Sequence, residues 1–360
     1  MDTSIPFRPR ARHRRPRGAT LAAAVALTLL IAACSSGASP TLTIPPDATG
    51  SVRPATTATP EPSDAPAFPL TLTDDEDTEL TIEQEPERIV SLTPATTETL
   101  FALGVGERVV GKVEDLSVHP PEAAAIPDVA KFGEVDVERI VSLEADLVIA
   151  GGNDFNPPDK IEQLRSLGVP VLVVYAPDID AVLDDIELTG AAVGRAAEAR
   201  DLTASMRAAF DQVGAATAGL ETPRVFYELD ATQKIYTAAD ESFLAAMIEL
   251  AGGDPITTGS TTNFEIPLER LVTADPEVIL LGDAAYGVTP EAVAARSGWG
   301  VMTAVRDGAI RPIDDIIVTR PGPRLTDGLW ALVGAIHPDV PVPSTGAASP
   351  GPAASPSSTP

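Results

Sequence analysis

The sequence predicts an α/β protein of two lobes with central, mostly parallel sheets, joined by one long helix and separated by a cleft. Three observations predict it. One apolar stripe runs from Asp178 to about Gly219. Short apolar runs alternate with helical patterns on both sides of that stretch. The segment after it repeats the residue pattern of the segment before it.

In the central stretch, apolar residues recur at Ile179, Val182, Leu183, Ile186, Val193, Ala197, Leu202, Met206, Phe210 and Val213. These steps keep one apolar face along a 3.6-residue period. Pro177 precedes the run, Asp178 can cap its first amides, and Asp180, Asp184 and Asp185 suit its positive end. Gly214 and Gly219 offer places to stop. A helix over 178–219 would run on the order of 50–60 Å at 1.5 Å per residue, longer than one small lobe needs, so it reads as a strut. Two shorter helices broken at Gly190 or Gly194 are the alternative.

The first lobe, 86–177, opens with the strand Arg88-Ile89-Val90-Ser91-Leu92 and the turn Thr93-Pro94. Leu100, Phe101 and Leu103 then mark a helix ending at Gly104. Strands follow at Val109–Gly111, Leu147–Ala150 and Val171–Val174, with helices at Val137–Leu143 and Ile161–Leu167. Such alternation implies a parallel sheet covered on both faces. In the second lobe, 223–338, Leu268–Gly282 can be laid on Val137–Gly151, with Glu, Arg, Val and Gly coinciding. Arg224-Val225-Phe226 matches Arg88-Ile89-Val90, and Ala251-Gly252 stands near the counterpart of Leu103-Gly104. Matches in one order indicate a structural repeat. The carboxyl ends of the strands should face the cleft, where open α/β sheets bind ligands.

The chain has 360 residues, 44% of them hydrophobic, and a net charge of −27. So acidic a surface repels phosphate backbones and argues against nucleic-acid binding. Six arginines between Arg8 and Arg17 precede an apolar run, Ala19 to Ala33, too short for a comfortable transmembrane helix but suited to a signal peptide over 1–33. The run ends Leu30-Ile31-Ala32-Ala33-Cys34, which resembles a bacterial lipobox, and Cys34 is the single cysteine. No intrachain disulfide is possible, and Cys34 sits where lipidation needs it. Arg14-Arg15 leaves Sec and twin-arginine export both open. Residues 34–80 are rich in Ser, Thr and Pro and read as a disordered tether, and 343–360 as a similar tail.

Gly106 to Val113 looks like a phosphate loop but lacks the Ser or Thr that would hold magnesium. Neither a Gly-x-Ser-x-Gly elbow nor a His-Glu-x-x-His motif is present. His13 lies in the leader, leaving His119 and His337, too few for a three-histidine metal site. No metal site or cofactor is expected. His119 reads as a turn residue or a solitary haem ligand. Tyr175, Tyr227, Tyr236 and Tyr286 suit either core packing or capping a cleft. Glu138 and Glu269 begin the same helix in each lobe, so the repeat should place them at equivalent points, suited to a two-fold partner that presents basic residues. Arg320-Pro321-Gly322-Pro323-Arg324 follows the apolar run Ile316-Ile317-Val318, read as a strand. The loop could grip carboxylate or phosphate oxygens with Arg320, while Arg324 suits internal pairing near a helix start.

These residues resemble the class III substrate-binding lipoproteins of ABC importers, which carry vitamin B12, ferric siderophores or haem. The resemblance covers Pro86 to Pro338 and rests on Arg88–Pro94 with Thr97-Glu98, Leu103-Gly104, the Glu138 and Glu269 segments, Leu250–Gly253 and Arg320–Arg324. It implies two Rossmann-like lobes bridged by a long helix with little hinge motion. It puts Glu138 and Glu269 on salt bridges to arginines of an ABC permease dimer, and Pro94 and Arg320 at the ligand cleft. Phe132, Gly151-Gly152 and Asn263-Phe264 stand where vitamin B12 receptors carry cleft tryptophans, and Trp299 and Trp330 lie in other segments. Phe132, Phe155, Phe264, Tyr236 and Tyr286 could still stack a flat macrocycle or catechol. The expected protein is a monomeric extracytoplasmic receptor, anchored through Cys34 to the outer face of the cytoplasmic membrane. Its cargo is an iron complex (ferric siderophore or haem) or a vitamin B12-type corrinoid, a choice the sequence leaves open. The alternatives are a hydrolase using the same cleft, with Arg320 and Glu98 or Asp315 as acid and base, and a surface scaffold.

Overall fold

The computed structural model describes residues 68–152 and 155–343. The predicted leader, Cys34, the tether up to residue 67 and nearly all of the tail lie outside the described residues. The first described segment corrects the predicted tether. Instead of remaining disordered to residue 80, the chain forms an antiparallel hairpin of β1 (Leu70–Thr73) and β2 (Glu79–Ile82). Leu70, Leu72, Leu80 and Ile82 alternate with exposed polar residues and turn to one side. The turn is pinned by buried Asp74, whose Oδ1 accepts from the amides of Glu76 and Thr78 at 3.0 and 2.8 Å. Its Oδ2 accepts from Arg165 at 2.9 Å and from the Val173 amide. A polar composition thus conceals an ordered element held from the first lobe.

That lobe comprises β3 (Ile89–Ser91), α1 (Pro94–Ala102), β4 (Val109–Val113), β5 (Asp128–Lys131), β6 (Glu134–Val135), α2 (Val137–Ser142), β7 (Leu147–Ala150), α3 (Pro158–Ser166) and β8 (Val171–Val173). Its sheet runs in the order β6-β5-β4-β3-β7-β8, parallel except for the β5–β6 pair.

The predicted single helix over 178–219 is two helices, α4 (Ile179–Ala192) and α5 (Ala196–Thr217). Asp178 caps α4 as expected, accepting from the Ala181 amide at 2.9 Å. The break falls at Gly194, whose φ of 74° lies in the left-handed region, and the Arg195 amide bonds back to the Gly190 carbonyl at 2.7 Å. The chain then folds α5 back on α4. A β-carbon at Gly190 would collide with that of Ala199, and Thr203 donates its hydroxyl to Glu187 at 2.6 Å. The apolar period runs through the break because both helices bury a stripe in the same core. α5 remains the long helix, about 33 Å over its 22 residues.

The second lobe comprises β9 (Arg224–Glu228), α6 (Phe243–Leu250), β10 (Asp254–Pro255), α7 (Leu268–Ala274), β11 (Val278–Leu281), α8 (Pro290–Ala294), α9 (Thr303–Arg306), β12 (Ile310–Pro312), α10 (Asp315–Thr319) and α11 (Leu325–Ile336). Its sheet, β10-β9-β11-β12, is wholly parallel. Residues 316–318, read as a strand, belong to the one-turn helix α10. Asp314 caps it by accepting from the Ile316 amide at 3.0 Å, and a cap ahead of a short apolar triplet favours a helical turn. α4 packs on α1 and β1, and α5 on α6 and α11. The residues of these helices join one face of each sheet in a common core, containing Leu147 and Leu172 of the first lobe and Leu280 and Leu332 of the second.

The predicted repeat reaches the hydrogen bonds. Arg88 donates Nε to the Leu143 carbonyl at 2.7 Å, and Arg224 donates Nε to the equivalent Ala274 carbonyl at 3.0 Å. Asp146 accepts from the Arg88 amide at 2.9 Å, and Glu277 from the Arg224 amide at 3.0 Å. Glu144 and Asp275, with φ of 52° and 49°, end the matched helices in the left-handed conformation.

Candidate functional site

A cavity of about 310 Å³ lies between the lobes, near the lower end of the usual range for small-molecule sites. Its walls come from three places: the β3–α1 turn with α1 (Thr93, Pro94, Ala95, Thr99), the ends of β7 and β8 (Gly151, Val174, Tyr175), and α4 (Val182, Ile186). The second lobe closes it with Ile316, Thr319, Arg320 and Pro321. Three of the threonine hydroxyls are used elsewhere. Thr93 Oγ1 caps α1 by accepting from the Thr96 amide at 3.1 Å. Thr99 donates to the Ala95 carbonyl at 2.9 Å, and Thr319 to the Asp315 carbonyl at 2.8 Å. The wall is therefore more apolar than its composition suggests. Gly151 is required where β7 meets α1, because a β-carbon there would collide with Thr93 Cγ2.

Beside the cavity, two carboxylates of the first lobe meet two guanidinium groups of the second. Glu98, 3% exposed on α1, accepts from Arg320 at 2.6 Å and from Arg324 at 2.9 and 2.6 Å. Arg320 also spans both oxygens of Asp115 at 3.0 Å each. The hydrogen bond to Glu98 holds the Arg324 guanidinium still further above its ordinary pKa. Charges are matched within this strap, and bidentate geometry makes it strong. Arg324 has the internal pairing expected of it. Arg320 lies on the cavity wall, with its fork already engaged by two carboxylates.

Of the other residues singled out in the sequence, Pro94 and Gly151 line the cavity and Gly152 is buried next to it. Phe132 is 79% exposed and meets Phe155, a lining residue, edge-on at 6.3 Å. Tyr236, Phe264 and Tyr286 belong to the second lobe and are not among the lining residues; Tyr236 is half-buried and Tyr286 is 82% exposed. Sequence reasoning missed Asp115 and the α4 wall. A helix face that closes a cavity carries the same apolar period as one that fills a core, so only Asp115, next to the end of β4, left a signal.

The acid–base set of the hydrolase alternative is otherwise occupied. Glu98 is held by two guanidinium groups, and Asp315 accepts the Tyr227 hydroxyl at 2.8 Å. His337 Nε2 lies 3.2 Å from the Gly252 carbonyl, and neither it nor His119 lines the cavity. Among the described residues, no group of three or more His, Cys, Asp or Glu side chains could hold a metal ion. Glu138 and Glu269 each sit in the first turn of α2 and α7, exposed, with no side-chain hydrogen bond or ion pair among the described residues.

Residues 89–316 match the family described as periplasmic binding protein. The chain belongs to that family. As a periplasmic binding protein of ABC importers, it is of the extracytoplasmic type, its partner is an ABC permease and its cargo is a small molecule. It is 33% identical over 277 residues to an ABC transporter substrate-binding lipoprotein of Bacillus subtilis (strain 168), spanning 76% of this chain and 87% of that one. It is 30% identical over 282 residues to a cobalamin-binding protein of Halobacterium salinarum, spanning 75% of each. Among solved structures, the vitamin B12 binding protein of Vibrio cholerae superposes with a TM-score of 0.61 at 25% identity, covering 70% of this chain and 97% of that one. The haem-binding protein of Roseiflexus sp. RS-1 does so with a TM-score of 0.61 at 28% identity, covering 69% and 99%. The binding protein's two-lobed α/β fold is the one read from its sequence. No helix among its described residues is long and apolar enough to cross a membrane.

Proposed function

We propose that this binding protein captures a vitamin B12-type corrinoid and delivers it to its permease, doing no chemistry on the cargo and needing no resident cofactor. The observation that carries the choice is the pairing of Arg320 with Glu98 and Asp115. Arg320 is the only basic side chain on the cavity wall among the described residues, and its charge is already balanced. Haem propionates or an anionic ferric siderophore would meet no unmatched cation there, in a chain of net charge −27. A corrinoid, with its amide-edged ring and small net charge, incurs no such penalty. The relatives named for cobalamin and vitamin B12 support the same reading. The macrocycle exceeds the cavity, so one edge would enter between Pro94 and Pro321 while Phe132, Phe155 and Tyr175 cover its face.

The receptor works as a monomer tethered through Cys34 to the outer face of the cytoplasmic membrane, and the matched carboxylates of Glu138 and Glu269 meet permease arginines. A thermal-shift series with cyanocobalamin, haemin and ferric siderophores tests the ligand. Stabilisation by cyanocobalamin alone is expected. A shift with haemin or a ferric siderophore and none with cyanocobalamin would replace the corrinoid by that ligand. The double variant Glu138→Arg, Glu269→Arg should abolish uptake in cells while binding stays within twofold; a loss of binding would move these carboxylates from the dock to the cleft.

A further inference from the structure

Asp283 follows Gly282 at the carboxyl end of β11. It is 5% exposed, and neither carboxylate oxygen has a hydrogen-bond partner among the described residues. Buried polar groups are nearly always satisfied, so a carboxylate without a donor needs an explanation. Its surroundings supply one. Glu228, the last residue of β9 and fully buried, is gripped by Arg296 through contacts of 2.5 and 2.8 Å, and that guanidinium lies 4.6 Å above the Trp299 ring. Tyr227 directs its hydroxyl to Asp315, and Asp314 adds only negative charge. One cation therefore faces two neighbouring buried carboxyl groups, which cannot both ionise without a large desolvation cost. A proton between them supplies the missing donor and leaves the site neutral.

The turn Gly282–Tyr286 rises from this point. It lies tight against β9, since a β-carbon at Gly282 would collide with the Tyr227 ring, and it ends at exposed Tyr286. We infer that a proton held on Asp283 and directed at the Glu228 carboxylate fastens the Gly282–Tyr286 turn to the second lobe, and that losing this proton releases the turn. Burial first, and Glu228 second, push the Asp283 carboxyl up to about 7. The fastening is thus complete in mild acid and is lost as the pH rises through neutrality. Because the folded group binds its proton more tightly than the unfolded one, its contribution to folding stability falls between about pH 4 and 7 and levels off above. The inference goes beyond the receptor reading, and its test uses no ligand, so either can fail without the other.

Trp299 and Trp330 are the two tryptophans of the chain. A Trp330→Phe variant leaves Trp299, stacked on the guanidinium that holds Glu228, as the sole emitter. Its emission should step with a midpoint near pH 7, and adding Asp283→Asn should remove the step. In the unaltered protein, carbon-13 NMR should show one carboxyl resonance titrating near pH 7. The inference is overturned if every carboxyl titrates below about pH 5.5, within the ordinary range, or if the emission step persists in Asp283→Asn.

Discussion

At the ends of their strands away from the cleft, both lobes solve one problem with the same parts. Arg88 and Arg224 each tie the entering strand to the last carbonyls of the neighbouring helix, and Asp146 and Glu277 each receive the arginine's own amide. At the cleft ends the likeness stops. The Gly151 amide donates to Asn156 Oδ1 at 2.9 Å, and Asn156 Nδ2 reaches the Leu92 carbonyl at 3.3 Å, so that buried amide is satisfied. The matching glycine, Gly282, is followed by Asp283, whose carboxylate has no donor among the described residues. Turning a helix into a parallel strand leaves few workable geometries, so the far ends stay alike. The cleft ends carry no such constraint and are free to hold different chemistry. Cross-lobe contact is a third case, since Glu98, Asp115, Arg320 and Arg324 have no counterpart in the repeat.

The largest effect should come from that unrepeated strap. Replacing Glu98 with alanine leaves Arg324 without its ion-pair partner and Arg320 with Asp115 alone, in a mostly buried place, with a loss on the order of 3–5 kcal/mol in urea unfolding. The same substitution at Glu138, solvent-exposed on a repeated helix, should stay within about 0.5 kcal/mol. Equal losses at the two sites would mean that the lobes are held by their common core alone and that the strap adds nothing.

A smaller effect separates the two cleft glycines. Gly151→Ala pushes a β-carbon into Thr93, and Gly282→Ala pushes one into the Tyr227 ring. Overpacking of this kind costs about 1–3 kcal/mol. The consequences should differ in kind, because Thr93 caps α1 and lines the cavity. Gly151→Ala should therefore weaken binding of the proposed corrinoid at least tenfold in titration calorimetry. Gly282→Ala should lower stability with binding changed less than threefold. Identical binding losses would show that the second lobe's turn contributes to the cargo site as much as the first lobe's does.

The repeat and the strand–helix order were legible because they rest on local periodicity and on residues such as Arg88 and Asp275 whose spacing is fixed. Three things were harder to read. The break at Gly194 is invisible to an apolar period that both α4 and α5 continue, and only the left-handed glycine marks it. The β1–β2 hairpin is hidden by its polar content, although Leu70, Leu72, Leu80 and Ile82 carry the two-residue period. The triplet 316–318 is too short for its period to tell strand from helix. At the site, the family resemblance put Pro94 and Gly151 at the cleft, and both line the cavity. The state of Arg320 was not, since its partners Glu98 and Asp115 lie more than 200 residues away in sequence. Asp283 had a faint local sign, an acid directly after an apolar strand and a glycine.

The smallest effect tests whether equal backbones imply equal side-chain roles. Glu144 and Asp275 occupy the same left-handed position, where glycine is free of the strain a β-carbon brings. Glu144 is exposed, and its side chain makes no contact with a hydrogen-bonding partner among the described residues. Relief of strain should outweigh the entropy that glycine adds to the unfolded chain, so Glu144→Gly should stabilise by about 0.5 kcal/mol. Asp275 accepts from the Thr303 amide at 2.7 Å and its hydroxyl at 2.9 Å, bonds that also hold its carboxyl below the usual carboxylate range. Asp275→Gly loses both bonds and should destabilise by about 1 kcal/mol. That loss should be full above pH 4 and shrink as the pH falls through the depressed pKa, where the native carboxylate takes up its proton. Urea unfolding at pH 7 and pH 3 measures both signs; a gain in both variants would mean that backbone strain alone governs the repeated turn.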